Sequence, residues 1–587
     1  MTPHDFYSSQ KTKFESDFSN VIQRLRLFHT IRFIVFLVLA ASVYVLWGDW
    51  GSIGISLGVG AILFTFLVAR TGDLHEKRKY FEARVGIDET ELEVLAGNWN
   101  QLDEGNEFKN DDHDFSQDLD LFGRASFFQY LNRTSLKHGK TRVAEMLASN
   151  DCSDIAEKQE AVQELAQKAE WRHDFSAHGS LIQSKISEQT IVTWFAKYVP
   201  FVPSYAPILV IAISCLSLAV ISLYAFDVIT GMHLLICFFV GGGITARILK
   251  KVSKLASDTG QIQATFERYH VLLDRIETEQ FSSKMLSDLQ TNIHQKEKKA
   301  SLIFQEFSKL LGALDQRNNI LISIPANGFF LRDIWICFKI ERWIAQNGSK
   351  VEEWFDVISR FDALNSFANF GFNHPSYVYP TLSEGKQLEA IGLGHPLLKK
   401  EGRIDNDFEM KNQEFFIITG ANMAGKSTFL RTVGLSIVMA NNGLPICAQS
   451  FAYSPIKLIS SMRTTDSLSE NESYFFSELK RLKRIIDTIE QEEHFIILDE
   501  ILKGTNSKDK AKGSQQFVEK LVRTRSTGII ATHDLSLCEL EAQLPEVKNY
   551  YFDAEIVNDE LYFDYRLKNG VCQNMNASFL LRKMGIV

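Results

Sequence analysis

Ten consecutive residues, TGANMAGKST at 419–428, carry the most specific chemistry in this chain. Gly420-Ala421-Asn422-Met423-Ala424-Gly425-Lys426-Ser427 fits GxxxxGK[ST], the pattern of a loop that wraps phosphates. Its glycines let backbone N–H groups curl round an anion, and the helix expected to follow adds positive potential at its N-terminus. Lys426 is suited to neutralise β- and γ-phosphate oxygens. Ser427, followed by Thr428, is suited to ligate Mg²⁺. Downstream, HFIILDE (494–500) reads as an apolar strand ending in two acids. Asp499 is placed to hold Mg²⁺, and Glu500 to polarise an attacking water as general base. The alternative for this pair, a strand that happens to end in exposed acids, loses weight because the glycine-rich loop lies upstream. His533, in ATHD after a third apolar run, stands where a side chain can sense a γ-phosphate. A lone histidine is more often structural, and that reading stays beside the functional one.

These residues need strands and helices to hold them. FFIITG (415–420), HFIILDE and STGIIATHD (526–534) are short β-rich runs separated by helical stretches. Such alternation predicts a mainly parallel α/β sheet, and with the loop it predicts a P-loop NTPase using ATP and Mg²⁺. Upstream, 71–197 and 248–384 are helical in period, the second rich in Glu, Gln and Lys and free of proline from 251 until Pro325. That length without breakers suggests long lever-like helices.

Two segments are uncharged for long stretches. Phe33–Trp47 and Gly51–Ala69 flank a GDWG turn, and 206–226 and 228–246 flank Asp227. They read as two transmembrane helical hairpins, with buried core helices as the alternative. Arg24, Arg26, Arg32, Arg70, Lys77 to Lys79 and Lys197, Arg247, Lys250, Lys251 and Lys254 flank the hairpins, while the turns hold only acids. Positive charge on that side puts both termini and the soluble segments in the cytoplasm, on an inner or plasma membrane. The pairs Gly54/Gly58 and Gly241–Gly243 suit either close helix packing or ordinary membrane glycine. The expected organisation is a polar tail (1–30), hairpin one (31–70), a helical part (71–197), hairpin two (198–247), a second helical part (248–384) and the nucleotide domain (385–587). A polar N-terminus with no early apolar run argues against a cleaved signal peptide.

Net charge is −9, from 63 basic and 72 acidic residues, so the chain as a whole is not a basic nucleic-acid binder, although a local basic face stays possible. Its seven cysteines are scattered with no CxxC pair, which offers neither a zinc site nor a disulfide framework.

TGANMAGKSTFLR, DSLSENESYFFSEL (466–479), LDEILKGTNSKD (498–509) and ATHD (531–534), in that order, resemble the ATPase domain of MutS mismatch-repair proteins. GHPLL (394–398) and GLPICA (443–448) extend that resemblance, and DLDLFGRASFFQYLNRTSLKHGKTRVAEML with IAEKQEAVQEL (155–165) is similar to the start of the MutS core. It covers roughly 390–587 and 115–180. The resemblance implies an ABC-type ATPase working as a homodimer, in which Ser473 of one subunit approaches the γ-phosphate held by Lys426, Ser427, Asp499 and Glu500 of the other. It makes Asn422 the loop asparagine, Tyr565 an adenine-stacking residue and Arg403 a second, atypical one able to stack through its guanidinium plane. DNA is the partner the resemblance implies. The departures are a hairpin where the family has its mismatch-reading wedge domain, a second hairpin inside the core, no C-terminal dimerisation segment after Val587, and SENESYFF in place of a glycine-rich signature. An ATP-driven switch on membrane or protein partners without DNA is therefore the alternative. An ABC transporter is a weaker one, with four membrane helices and no LSGGQ-type signature.

Overall fold

In the computed structural model, all residues are described except 183–185, 295–297, 384–386, 464–473, 558–559, 574–585 and 587. Thr2 caps the first helix: its side chain accepts from the Asp5 N–H, Asp5 reaches back to the Thr2 N–H, and Pro3 takes the first helical position, where its missing donor costs nothing. From there α1 runs unbroken over Pro3–Val45. Residues 1–30, expected as a polar tail, are helical from Pro3 onward. They form the first part of the helix that carries the first apolar run, and Tyr7, Phe14, Val21 and Leu25 bury one stripe along it. The turn holds Gly48 at φ 104°, and Asp49 accepts from the Ser52 N–H at 3.3 Å. Then α2, Trp50–Leu95, returns with Ile53, Gly60 and Leu67 at seven-residue spacing, as Tyr7, Phe14 and Val21 are in α1. An added Cβ at Gly54 or Gly58 would meet open space, so that pair takes no part in the packing within this hairpin.

The second hairpin is α3 (Ala206–Ala225) and α4 (Gly231–Ala246). The turn is wider than the sequence suggests, because Asp227 takes a left-handed conformation at φ 57° and the second helix starts only after Thr230. Next come α5 (Leu249–Thr278), α6 (Ile320–Phe330), α7 (Arg332–Asn347) and α8 (Val351–Asn373). Within the expected lever region, α6 is an eleven-residue apolar helix, ILISIPANGFF. It is too short to stand out by the roughly 20-residue criterion for a span, and the charge-rich composition around it hides it. Among the described residues, three helices, α1, α2 and α3, are long and apolar enough to cross a membrane. The number is five if the bent pairs α4–α5 and α6 with the helices after it are each counted as one span.

Helix α8 is the axis of the helical half, buried almost throughout from Val357 to Phe370. It packs on helices Lys137–Ala148 and Ile155–Gln167. Its end is tied to the first hairpin: the Tyr7 hydroxyl donates to Asn373 Oδ1 at 2.6 Å, and Asn373 Nδ2 donates to Glu91 Oε2 at 2.7 Å. Burial pushes the Glu91 carboxyl up, but Arg133 at 2.6 Å and the Asn373 bond outweigh it and hold it below its ordinary range.

The C-terminal part is α/β. β1 (Phe415–Gly420), α9 (Lys426–Asn441), β2 (Lys457–Ser461), α10 (Tyr474–Ile489), β3 (His494–Asp499), α11 (Ser507–Arg523), β4 (Thr527–Ala531), β5 (Val547–Phe552) and β6 (Leu567–Asn569) follow in order. They form one six-stranded sheet, β6-β5-β1-β4-β3-β2, parallel except for the β6/β5 pair. A smaller sheet of 381–382, 450–453, 387–393 and 406–411 lies before and within it in sequence. All six residues of β1 are buried, as the uninterrupted apolar run of a strand covered on both faces requires. The far edge, β2, is closed by side chains. Asn150 accepts from the Leu458 N–H and donates to the Leu458 carbonyl, both at 2.9 Å, as a further strand would.

Candidate functional site

Strand β1 ends at Gly420 with φ 148°, and a Cβ there would sit 2.5 Å from the Phe552 carbonyl oxygen of β5. Only glycine lets the chain leave the sheet at that point. The loop Ala421-Asn422-Met423-Ala424 then turns to Gly425, at φ 105°, which opens α9. The first N–H groups of that helix have no intrahelical acceptor and face the loop's concavity.

Lys426 is 6% exposed. Its ammonium donates to the carbonyls of Gly420 at 2.8 Å and Ala421 at 3.1 Å. Burial lowers its pKa, against the pull of Asp499 and Glu500. Ser427 Oγ donates to Asp499 Oδ2 at 2.6 Å, across the one strand, β4, that separates β1 from β3. Burial raises Asp499. The pair of oxygens suits Mg²⁺, which takes one or two protein oxygens and completes its shell with phosphate and water. Among the described residues no group of three His, Cys, Asp or Glu stands together that could hold a metal ion by itself.

Glu500 follows β3 in a left-handed conformation, φ 50°, fixed by its N–H donating to the Ala531 carbonyl at 2.9 Å. Its carboxylate lies 3.0 Å from His533 Nε2. That hydrogen bond, with the charges of Lys503 and His533, holds Glu500 down at about 2 although burial opposes it. His533 Nε2 also lies 2.8 Å from Asn422 Oδ1. With Glu500 ionised, Nε2 is the donor, shared between the two oxygens, and the Lys426 protons go to the loop carbonyls. The 420–425 loop, the Ser427 and Asp499 oxygens and the Glu500 carboxylate thus converge at the carboxyl ends of β1, β3 and β4.

A cavity of about 310 Å³ opens beside the loop, lined by Thr428, Phe552, Tyr565, Leu398, Ile404, His395 and Asn406 among others. Tyr565 is 42% exposed and its ring lies 3.1 Å from where a Gly425 Cβ would be. Asn406 Nδ2 holds the Tyr565 carbonyl at 3.0 Å. Arg403 is not among the residues that line this cavity, and its guanidinium pairs with Asp405 at 2.6 Å. Ser473 lies outside the described residues.

The sequence reading missed three groups. Lys503 stands 3.7 Å from Glu500. Glu478 of α10, 3% exposed, accepts the Lys503 N–H at 3.0 Å and so fixes the turn after Glu500. Asp118 ties the helical half to the sheet, accepting from Ser460 Oγ at 2.6 Å and the Arg463 N–H at 2.8 Å, while its carbonyl accepts from Arg431 of α9 at 3.0 Å. Long-range pairs of this kind leave no spacing signal.

Sheet, loop and acids thus stand together at one end of the parallel sheet. Comparison with known proteins gives the more particular likeness: residues 416–581 match the family model of MutS domain V. The chain is 32% identical over 236 residues to the DNA mismatch repair protein MutS of Thermotoga petrophila, covering 39% of this chain and 29% of that one. It is 30% identical over 229 residues to the DNA mismatch repair protein MutS of Staphylococcus aureus, covering 38% and 26%. The likeness to MutS proteins is thus confined to part of the chain, and the chain spans less than a third of the length of the relatives it matches.

Proposed function

We propose that this chain is a membrane-anchored, MutS-like Mg-ATPase. The observation that carries this reading is the convergence at one end of the parallel sheet of two close groups, Ser427 with Asp499, and Lys426 with His533 and Glu500. The loop amides and Lys426 bind the β- and γ-phosphates. Ser427 and Asp499 hold Mg²⁺, which supplies charge neutralisation on those oxygens when bound. Glu500, kept ionised, orients the attacking water and accepts its proton, and His533 holds the carboxylate in place beside Asn422. Tyr565 stacks on the adenine. Two copies complete each other's sites, Ser473 of one reaching the γ-phosphate of the other.

The hairpins α1–α2 and α3–α4 cross an inner or plasma membrane, with both termini and the ATPase on the cytoplasmic side. Their exposed apolar residues support this, among them Phe36, Ile62, Ile208 and Phe239. The relatives' mismatch-repair role makes structured or mismatched DNA the first partner to test. A switch acting on membrane or protein partners without DNA is the second reading, favoured by a likeness confined to less than half of the chain. In detergent-purified protein, Lys426→Ala should abolish ATP turnover. Glu500→Ala should lower it by roughly 10²- to 10⁴-fold with ATP affinity nearly intact. Normal turnover in Glu500→Ala would refute the base assignment.

A further inference from the structure

The apolar helix α6 sits inside the segment expected to be a cytoplasmic lever, and none of its eleven residues is charged. Its inner face is built for the second hairpin. At Gly241 of α4 a Cβ would lie 2.0 Å from the Gly328 carbonyl oxygen, and at Gly328 a Cβ would lie 2.2 Å from the Phe238 ring. Two glycines thus bring α6 and α4 into backbone contact, the close approach that small residues permit between helices in lipid. The Ser217 hydroxyl of α3 donates to the Phe329 carbonyl at 2.6 Å, capping an acceptor freed at the end of α6. Ser217 lies about 16 Å along α3 from its start at Ala206, near the middle of a bilayer-sized helix.

The outer face is uncovered and apolar, with Leu321 86%, Ile320 67%, Ile322 56% and Ile324 53% exposed. Both flanks return to one place. Arg317, before α6, lies 3.8 Å from Asp333, and Arg332, after it, lies 3.6 Å from the same carboxylate and donates to the Ala313 carbonyl at 2.5 Å. A polar clasp therefore closes the base of the segment, on the side where the basic flanks of the hairpins lie.

We propose that Ile320–Phe330 is a re-entrant membrane segment, packed on the second hairpin and covered on its outer face by lipid acyl chains. It dips into the bilayer and returns to the cytoplasmic side, where it continues at once into α7 and α8. Irregular backbone at that depth is tolerated because α3 and α4 cover it. The proposal rests on the reading of the second hairpin as membrane-spanning. It adds a membrane contact within the helices that lead to the ATPase.

The test uses the full chain in phosphatidylcholine/phosphatidylglycerol vesicles, modified by a water-soluble maleimide and read peptide by peptide by mass spectrometry. Leu321→Cys and Ile324→Cys report on α6, native Cys215 of α3, which is exposed, reports on the hairpin, and Glu306→Cys is the aqueous reference. Modification at 321 and 324 should be at least about tenfold slower than at 306, as at Cys215, since hydrocarbon excludes the reagent, and should reach the reference rate in denaturant. Fast modification at 321 and 324 with Cys215 shielded overturns the proposal and leaves the hairpin standing. Fast modification of Cys215 as well overturns both.

Discussion

Glu500 owes its low pKa to one neighbour above all, and that makes the contact measurable. A carboxyl-labelled Glu500 should titrate near 2 in the intact chain and move toward the ordinary value of about 4.3 in His533→Ala. An unmoved titration would remove His533 as the residue that holds the base. The folded-state value is depressed, so this contact favours the folded chain above the ordinary carboxylate range, and that contribution fades as pH falls through about 2. At the base pocket, Tyr565→Ala should weaken ATP binding by about 1–3 kcal/mol, the worth of one aromatic–base stack, whereas Arg403→Ala, already tied to Asp405, should change it little. Equal losses in a calorimetric titration would contradict the geometry of this cavity. The strand, loop and helix around 415–441 were legible in the sequence because the backbone at Gly420 and Gly425 demands glycine. The pairing of Arg403 with Asp405 was not, because an ion pair two residues apart leaves no pattern that marks it. Glu478 and Lys503 were not, because their meeting depends on tertiary packing.

At the scale of elements, the alternation of apolar runs gave away the parallel sheet, and the uncharged runs matched the second pair of helices, Ala206–Ala225 and Gly231–Ala246, to within a few residues, whereas the first pair extends well beyond its runs. Helix α1 was only half legible. Its first thirty residues are polar enough to pass for a tail, and the buried stripe of Tyr7, Phe14, Val21 and Leu25 is too sparse to announce itself. Helix α6 was missed for the reason given above, a run shorter than a span inside a charged region. Gly241→Leu should separate α6 from α4 at a cost of about 1–3 kcal/mol, typical of overpacking, seen as a lowered unfolding temperature in detergent. Gly54→Leu should not, since that position faces open space. A chain indifferent to both changes would argue against the packing of α6. At the junction of α1 and α8, Tyr7→Phe removes the donor to Asn373 within a largely buried network, and about 1–3 kcal/mol of stability should go with it. Denaturant unfolding that is unchanged in Tyr7→Phe would show that the first hairpin is not anchored there.

Over the whole molecule, two routes lead from apolar helices to the nucleotide site. One passes from α1 and α2 through Tyr7 and Glu91 to α8, and the other from α3, α4 and α6 through α7 to α8. Asp118 then joins the helical half to α9 and to Arg463, directly ahead of the stretch that holds Ser473. The proposed nucleotide site and the proposed membrane helices are thus linked through these contacts, which the residues of either alone do not reveal. The measurement that tests the central claim most directly is Mg-ATP hydrolysis by the full chain in lipid nanodiscs, for the unmodified protein and for Lys426→Ala and Glu500→Ala. The account predicts turnover in the unmodified chain, none in Lys426→Ala, and in Glu500→Ala retained ATP with hydrolysis lowered at least about 10²-fold. Turnover that persists in Lys426→Ala, or an unmodified chain that neither binds nor hydrolyses ATP in a bilayer, would contradict it.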